Sequence, residues 1–386
     1  MAGPSACRMT IGENGREEAN EDMERVNPDV IDPWLHLLWE RGGTDLMLTA
    51  NSPPRIRVDG RLRPIQGELT LSHDALEGVV YKLLGPELAH TLETHKDVDF
   101  AFSWRNLARL RGNAFIQRGE IALALRMIPA TIPSFEDLGI PPSLTRFADL
   151  PRGFVLVTGP TGSGKSTTLA AIIDYINDNR EVHILTVEDP IEYVHEHKRA
   201  VVNQRELGLD CETFERALRS ALREDPDVLL VGEMRDLESI QIALTMAETG
   251  HLVFATLHTN DTAQALDRII DVFPAQRRDQ IRVQLAASLS GVIAQRLLPR
   301  PGYGMVAAFE ILVATPAVRN LLREGKTNQL RNVMTTAQQE GMLTLETSLA
   351  RLIQADLITY EAAQAITLHP RDLARVLDPA FSGAAG

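Results

Sequence analysis

Hydrophobic positions along the chain follow two rhythms, one on either side of a proline-rich stretch. In the first part they alternate or recur at short helical spacing. Pro33–Glu40 (PWLHLLWE) predicts a short amphipathic helix with Trp34, Leu37, Leu38 and Trp39 on its apolar side. Asp45–Leu48 predicts a strand. Pro53–Asp59 predicts another, and Asp59-Gly60 is a turn dipeptide that closes a hairpin into Arg61–Ile65. Asp74–Leu84 has helical spacing and stops before Gly85-Pro86. Asp97–Trp104, Leu107–Gln117 and Ile121–Met127 are strand-like. Residues 31–128 therefore read as a small α+β domain. Residues 129–152 hold Pro129, Pro133, Pro141, Pro142 and Pro151 and few regular runs, which predicts a linker that changes direction.

From Gly153 the pattern changes. Phe154–Val157 is wholly apolar, as in a parallel strand covered on both faces. Ser166–Asn177 is helical in spacing, Val182–Val187 strand-like and Thr213–Arg223 helical. Val228–Val231 reads as a strand, Leu237–Glu248 as a helix and Leu252–Thr256 as a strand. This alternation implies βαβ units and a doubly wound α/β sheet. From Thr262 onward the chain reads as mostly helical, with Leu345, Leu349, Leu352 and Ile353 marking one buried face. The domain spans 153–368, and 369–386 is expected to be a flexible tail.

Composition narrows the class. The chain has 386 residues, 44% of them hydrophobic, which suits about two globular domains. A net charge of −13 speaks against nucleic-acid binding as the main activity. Only Cys7 and Cys211 are present, so no disulfide framework or four-cysteine zinc element can form, and a reducing compartment fits. No apolar run is long enough to span a membrane. Between Cys7 and Asp32 eight acids face three arginines, so residues 1–30 are expected to be a solvated acidic tail rather than a secretory signal.

The chemistry concentrates in the second domain. Gly159-Pro160-Thr161-Gly162-Ser163-Gly164-Lys165-Ser166 fits G-x-x-x-x-G-K-[ST] at every specified position, between an apolar strand and a helix. Such a loop curls its N–H groups around phosphates at a helix N-terminus. Lys165 is placed to reach the β- and γ-phosphates and the Ser166 hydroxyl to ligate Mg²⁺. Thr167 continues the motif. Two apolar strands lead into acids: Thr186-Val-Glu188-Asp-Pro-Ile-Glu192, and Asp227-Val-Leu-Leu-Val-Gly-Glu233. Ligands in such sheets bind at the carboxyl ends of strands. Spacing alone does not choose between Glu188 and Glu192. His251 and His258 bracket one strand, with no third ligand near enough in sequence for a metal site.

Together these segments resemble the secretion and pilus motor ATPases of RecA-like fold, and among them most the type IV pilus retraction (twitching motility) ATPases. The segments that carry the resemblance are Gly159–Thr168, Glu188–Glu192, Gly232-Glu-Met-Arg-Asp236, Thr249–Thr259, Ala317–Gly325 and Ile56–Gly60, and it extends over residues 31–368. It implies a RecA-like P-loop NTPase domain preceded by a smaller α+β, PAS-like domain and followed by a helical segment. It further implies a homohexamer that uses ATP with Mg²⁺, and a site completed by a neighbouring subunit. Glu192 then corresponds to the water-positioning acid and Glu233 to the Mg²⁺ shell, with His251 and His258 as site members. Arg111, Arg118 and Arg126 are the expected cationic partners of the nucleotide. An inner-membrane pilus platform protein and a paralogous retraction ATPase are implied partners, at the cytoplasmic side of the pilus base. Pilus assembly and type II secretion ATPases, the alternative, generally carry a longer first domain and a four-cysteine element that two cysteines cannot build. Two departures from the family pattern stand out: Asp45-Leu-Met47-Leu lacks the family's frequent His, and Ala317-Val318-Arg319 replaces Ala-Ile-Arg.

Overall fold

Alternating apolar positions in the first part, and continuous apolar runs in the second, build two separate sheets. The computed structural model describes residues 26–377 except 59, 106, 235 and 303. Most of the expected acidic tail, Asp59 of the expected turn, Arg235 of the Gly232–Asp236 motif and the last nine residues lie outside the described residues. The chain divides after Thr131 into two units.

The first unit contains α1 (Asp32–Glu40), β1 (Asp45–Thr49), β2 (Arg55–Val58), β3 (Arg61–Pro64), α2 (His73–His95), β4 (Asp97–Trp104), β5 (Ala108–Gln117) and β6 (Glu120–Pro129). The strands form an antiparallel sheet of order β3-β2-β1-β6-β5-β4. One face supplies Leu46, Leu48, Ile56, Leu110 and Leu125 to a core that α1 and α2 share through Leu35, Leu38, Val80 and Leu92. The side-chain period of two leaves the other face polar. There Arg57, Asp45, Arg126 and Arg111 are successive cross-strand partners on four neighbouring strands. The helix expected at Asp74–Leu84 runs on to His95. Gly85, at φ +67°, kinks it where the sequence signalled a stop.

The second unit absorbs most of the proline-rich stretch. Ile140, Leu144, Phe147 and Ala148 are buried in its core, the last two on the short helix α3 (Thr145–Ala148), so residues 132–152 pack instead of merely linking. The alternation then follows as β7 (Gly153–Thr158), α4 (Lys165–Asn179), β8 (His183–Glu188), β9 (Val201–Glu206), α5 (Phe214–Ala221), β10 (Val228–Val231), α6 (Leu237–Glu248), β11 (Leu252–Leu257), α7 (Thr262–Asp271) and α8 (Arg278–Ser288). Two further strands, β12 (Leu289–Pro299) and β13 (Met305–Val313), precede the helices α9 (Pro316–Arg323), α10 (Leu330–Thr336), α11 (Leu345–Gln354), α12 (Tyr360–Ile366) and α13 (Pro370–Leu377).

The sheet order is β13-β12-β7-β11-β10-β8-β9, parallel except for the β12/β13 pair. Every residue of β7, β10 and β11 is buried, as the apolar runs require of strands covered on both faces. Three features differ from expectation. The region after Thr262 is interrupted by the strands β12 and β13, so its helices fall into two groups, α7 and α8 before them and α9 to α13 from Pro316 onward. β9 forms the sheet edge from a polar sequence that gave no strand signal. Part of the expected C-terminal tail is helix α13, anchored by buried Leu373.

Candidate nucleotide site

The carboxyl ends of β7, β8, β10 and β11 lie at one edge of the second sheet, and each carries part of a polar cluster. Residues 159–164 curl between β7 and α4. Gly159 sits at φ +147°, where an added Cβ would meet Gln295 O at 2.4 Å and Ser163 Oγ at 2.6 Å. Gly164, at φ +85°, lies 2.9 Å from Gln295 Nε2 in the same sense. Only glycine allows the backbone to close this tightly. The Ser163 hydroxyl is buried with no hydrogen-bond partner. A closed ring of backbone with an unpaired buried hydroxyl at a helix N-terminus fits an anionic phosphate chain.

Lys165 Nζ donates to Gly159 O (2.9 Å) and Pro160 O (3.2 Å), and lies 3.4 Å from His258 Nδ1. Burial lowers its pKa, while the Glu233 and Glu192 carboxylates raise it. On the far side of the imidazole, His258 Nε2 is 3.1 Å from Glu233 Oε1. A protonated Lys165 needs an acceptor at Nδ1, so Nε2 carries the proton and donates it to Glu233. Ammonium, imidazole and carboxylate thus form one row. Thr158 Oγ1 accepts from Thr259 N (3.0 Å), which joins the end of β7 to the residue after His258. A cavity of about 480 Å³ opens beside this row, lined by Glu233, Met234, Leu257, His258 and Thr259 among others.

Glu188 ends β8. Its Oε1 accepts from Thr186 Oγ1 (2.7 Å) and Gln204 Nε2 (3.1 Å). Burial raises its pKa to about 7, against the effect of those two bonds and with help from Glu192 and Glu206. Glu192 is close enough to act electrostatically on Lys165, and Tyr193 OH lies 3.1 Å from Thr167 Oγ1 at the start of α4.

The expected residues are not all gathered in this cluster. His251 sits at the amino end of β11, with Nδ1 2.9 Å from Met246 O. Six strand residues, about 20 Å, separate it from His258, so within one copy it stays outside. Arg111, Arg118 and Arg126 belong to the first unit. Arg111 and Arg126 are exposed partners across β5 and β6, and Arg118 occupies the two-residue turn between these strands at φ +54°.

The profile of the family described as "Type II/IV secretion system protein" matches residues 109–303. The type IV pilus retraction ATPase PilT of Pseudomonas aeruginosa is 49% identical over 325 residues, 84% of this chain and 94% of that protein. The chain belongs to this family. A twitching motility protein of Neisseria gonorrhoeae is 50% identical, over 81% of this chain and 83% of its own length. A crystal structure of the pilus retraction motor PilT with bound ADP superposes with a TM-score of 0.81 at 46% identity, covering 88% of this chain and 98% of that one.

Membership explains the three acidic and histidine segments and leaves several cluster residues that sequence reasoning missed. Gln295 on β12 accepts from Thr168 Oγ1 (2.8 Å) and closes over Gly159 and Gly164. It was hidden because β12 did not announce itself as a strand. Tyr193 and Gln204 lie outside the sequence motifs, and nothing short of the fold brings them to the site. Among the described residues no helix is long and apolar enough to cross a membrane.

Proposed function

We propose that the chain is an ATP-hydrolysing motor that retracts type IV pili, working as a homohexamer at the cytoplasmic face of the inner membrane. The observation that carries the reading is the row Lys165–His258–Glu233 beside a phosphate-shaped loop, in a chain about half identical to a pilus retraction ATPase and to a twitching motility protein. Residues 159–167 wrap the phosphates, and Lys165 exchanges loop carbonyls for phosphate oxygens when ATP enters. Ser166 and Glu233 would hold Mg²⁺, which offsets the charge of the β- and γ-phosphates when bound. Glu192 positions the attacking water. Glu188, half-buried, raised to about 7 and held by two donors, suits a brace better than a base.

His258 reads the occupancy of Lys165 and passes it to Glu233 through its Nε2 proton. Arg111, Arg118 and Arg126 serve the γ-phosphate of a neighbouring copy, because a rigid guanidinium fork matches the charge that develops in phosphoryl transfer. The mechanical partner is the inner-membrane pilus platform protein, with a paralogous retraction ATPase as a second partner. Steady-state ATPase assays test the site: Lys165→Ala and Glu233→Gln should each lose at least a hundredfold in turnover, about 2.7 kcal/mol of barrier. Normal turnover in both would reject it. Deletion of the chain from its host tests the direction of work, because continued pilus retraction would reject a retraction motor.

A further inference from the structure

Glu192 stands on residues 189–200, a segment with no regular secondary structure. Something else must hold its backbone still if its carboxylate is to be aimed. The holding is done by side chains of β9. Ile191 N donates to Glu206 Oε2 (3.1 Å). Gln204 Nε2 donates to Tyr193 O (2.8 Å), and Gln204 Oε1 accepts from His195 N (2.8 Å). Val202 N donates to His197 Nδ1 (3.1 Å). Rising numbers on the segment meet falling numbers on the strand, so these bonds mimic an antiparallel ladder built largely from side chains. On the other flank Asn177, at the end of α4, donates to Glu196 O (2.7 Å) and accepts from Lys198 N (3.1 Å).

Gln204 is the central rung. Both donors of its amide are used, one on Tyr193 O and one on Glu188 Oε1, and its oxygen takes the His195 N–H. It therefore joins the end of β8 to the residues directly after Glu192. Tyr193 in turn reaches Thr167 on the phosphate-loop helix (3.1 Å). The two anchors bracket Glu192 from the strand side and from the cradle side.

We propose that Gln204 is a positioning residue for ATP hydrolysis: by bracing Tyr193 and His195 it aims Glu192 at the phosphate cradle. This rests on the reading of Glu192 as the water-positioning acid. A positioning group contributes to the transition state more than to ground-state binding. In Gln204→Leu, kcat should therefore fall at least tenfold while ATP affinity, measured separately by equilibrium binding, stays within threefold. Gln204→Glu keeps the volume and the acceptor for His195 but loses both donors, and it carries the same expectation should the leucine variant not fold. Because Gln204 acts through Glu192, adding Gln204→Leu to Glu192→Gln should lower the residual turnover by less than threefold. Unchanged kcat, a matching loss of ATP affinity, or full additivity in the double variant would each overturn the proposal. The two readings separate cleanly. Full turnover in Glu192→Gln alone removes the site reading and the inference with it. A tenfold loss there with none in Gln204→Leu removes the inference alone.

Discussion

Glu188 and Glu192 are four residues apart and read alike in sequence, yet their surroundings give them different chemistry. Glu188 is half-buried at the end of β8, and the desolvation there makes the charged form costly enough to raise its pKa from 4.5 to about 7. The folded state therefore binds a proton that the unfolded state has released between those two values. The sign follows from linkage: this contribution is fully present below pH 4.5, shrinks as pH rises, and is gone above about 7. Glu188→Gln keeps an acceptor for Thr186 and Gln204 and cannot titrate. Between pH 5.5 and 8.5 the parent should lose stability relative to that variant by on the order of 1 kcal/mol, about half of what the full shift gives over that window, because the residue is partly exposed to solvent. Denaturant midpoints of both proteins at the two pH values check this. A difference that does not move with pH would show that Glu188 is ionised throughout.

At the scale of elements, legibility tracked how each element is buried. β7, β10 and β11 are covered on both faces, so their apolar runs announced them, and the phosphate loop between β7 and α4 could be placed from the same signal. β12 and β13 were missed because a long apolar run is equally consistent with a buried helix until its partners are known. β9 was missed for the opposite reason: its inward positions include Gln204 and Glu206, which bond the segment carrying Glu192 and bury little apolar surface. The Ala317–Gly325 signature was legible as a motif but not as a device. In the fold, Arg319 on α9 donates Nε to Ala314 O (3.0 Å) and Nη1 to Ala286 O (2.5 Å) and Ala287 O (2.8 Å), near the end of α8. A cation there complements the carbonyl end of the helix. Arg319→Ala strands those carbonyls and should cost about 2 kcal/mol of stability by denaturant unfolding. Arg319→Lys should recover only part, since an ammonium lacks the planar fork that serves three carbonyls at once. A loss below about 0.5 kcal/mol in the alanine variant would leave the cap without energetic weight.

For the whole molecule, the informative feature is a charge left unanswered on the polar face of the first unit. Arg111 and Arg126 are directly opposite on β5 and β6, and like charges so placed repel by some tenths of a kcal/mol up to about 1 kcal/mol. Asp45 answers Arg126 at 3.1 Å and Arg57 at 3.2 Å. Arg111 has no ion pair among the described residues and stays exposed. A sheet face that keeps an unneutralised guanidinium beside a second one is suited to an external anion, and in the proposed ring that anion is the γ-phosphate held by a neighbouring copy. This arrangement has a consequence that mixing can read. If Arg111 lies outside the sites of a coordinated ring, blending Arg111→Ala with parent protein lowers ATPase activity at most in proportion to the fraction added. If it serves a neighbour in a ring whose sites fire in coordination, each variant subunit silences a site it does not own and stalls the others. Activity should then fall well below the straight dilution line, to less than a quarter of the parent value at equal proportions, where simple dilution leaves half. The control is Lys165→Ala in the same mixtures, which disables the subunit's own cradle. A linear titration for Arg111→Ala alongside a steep one for Lys165→Ala would place the arginine outside any shared site.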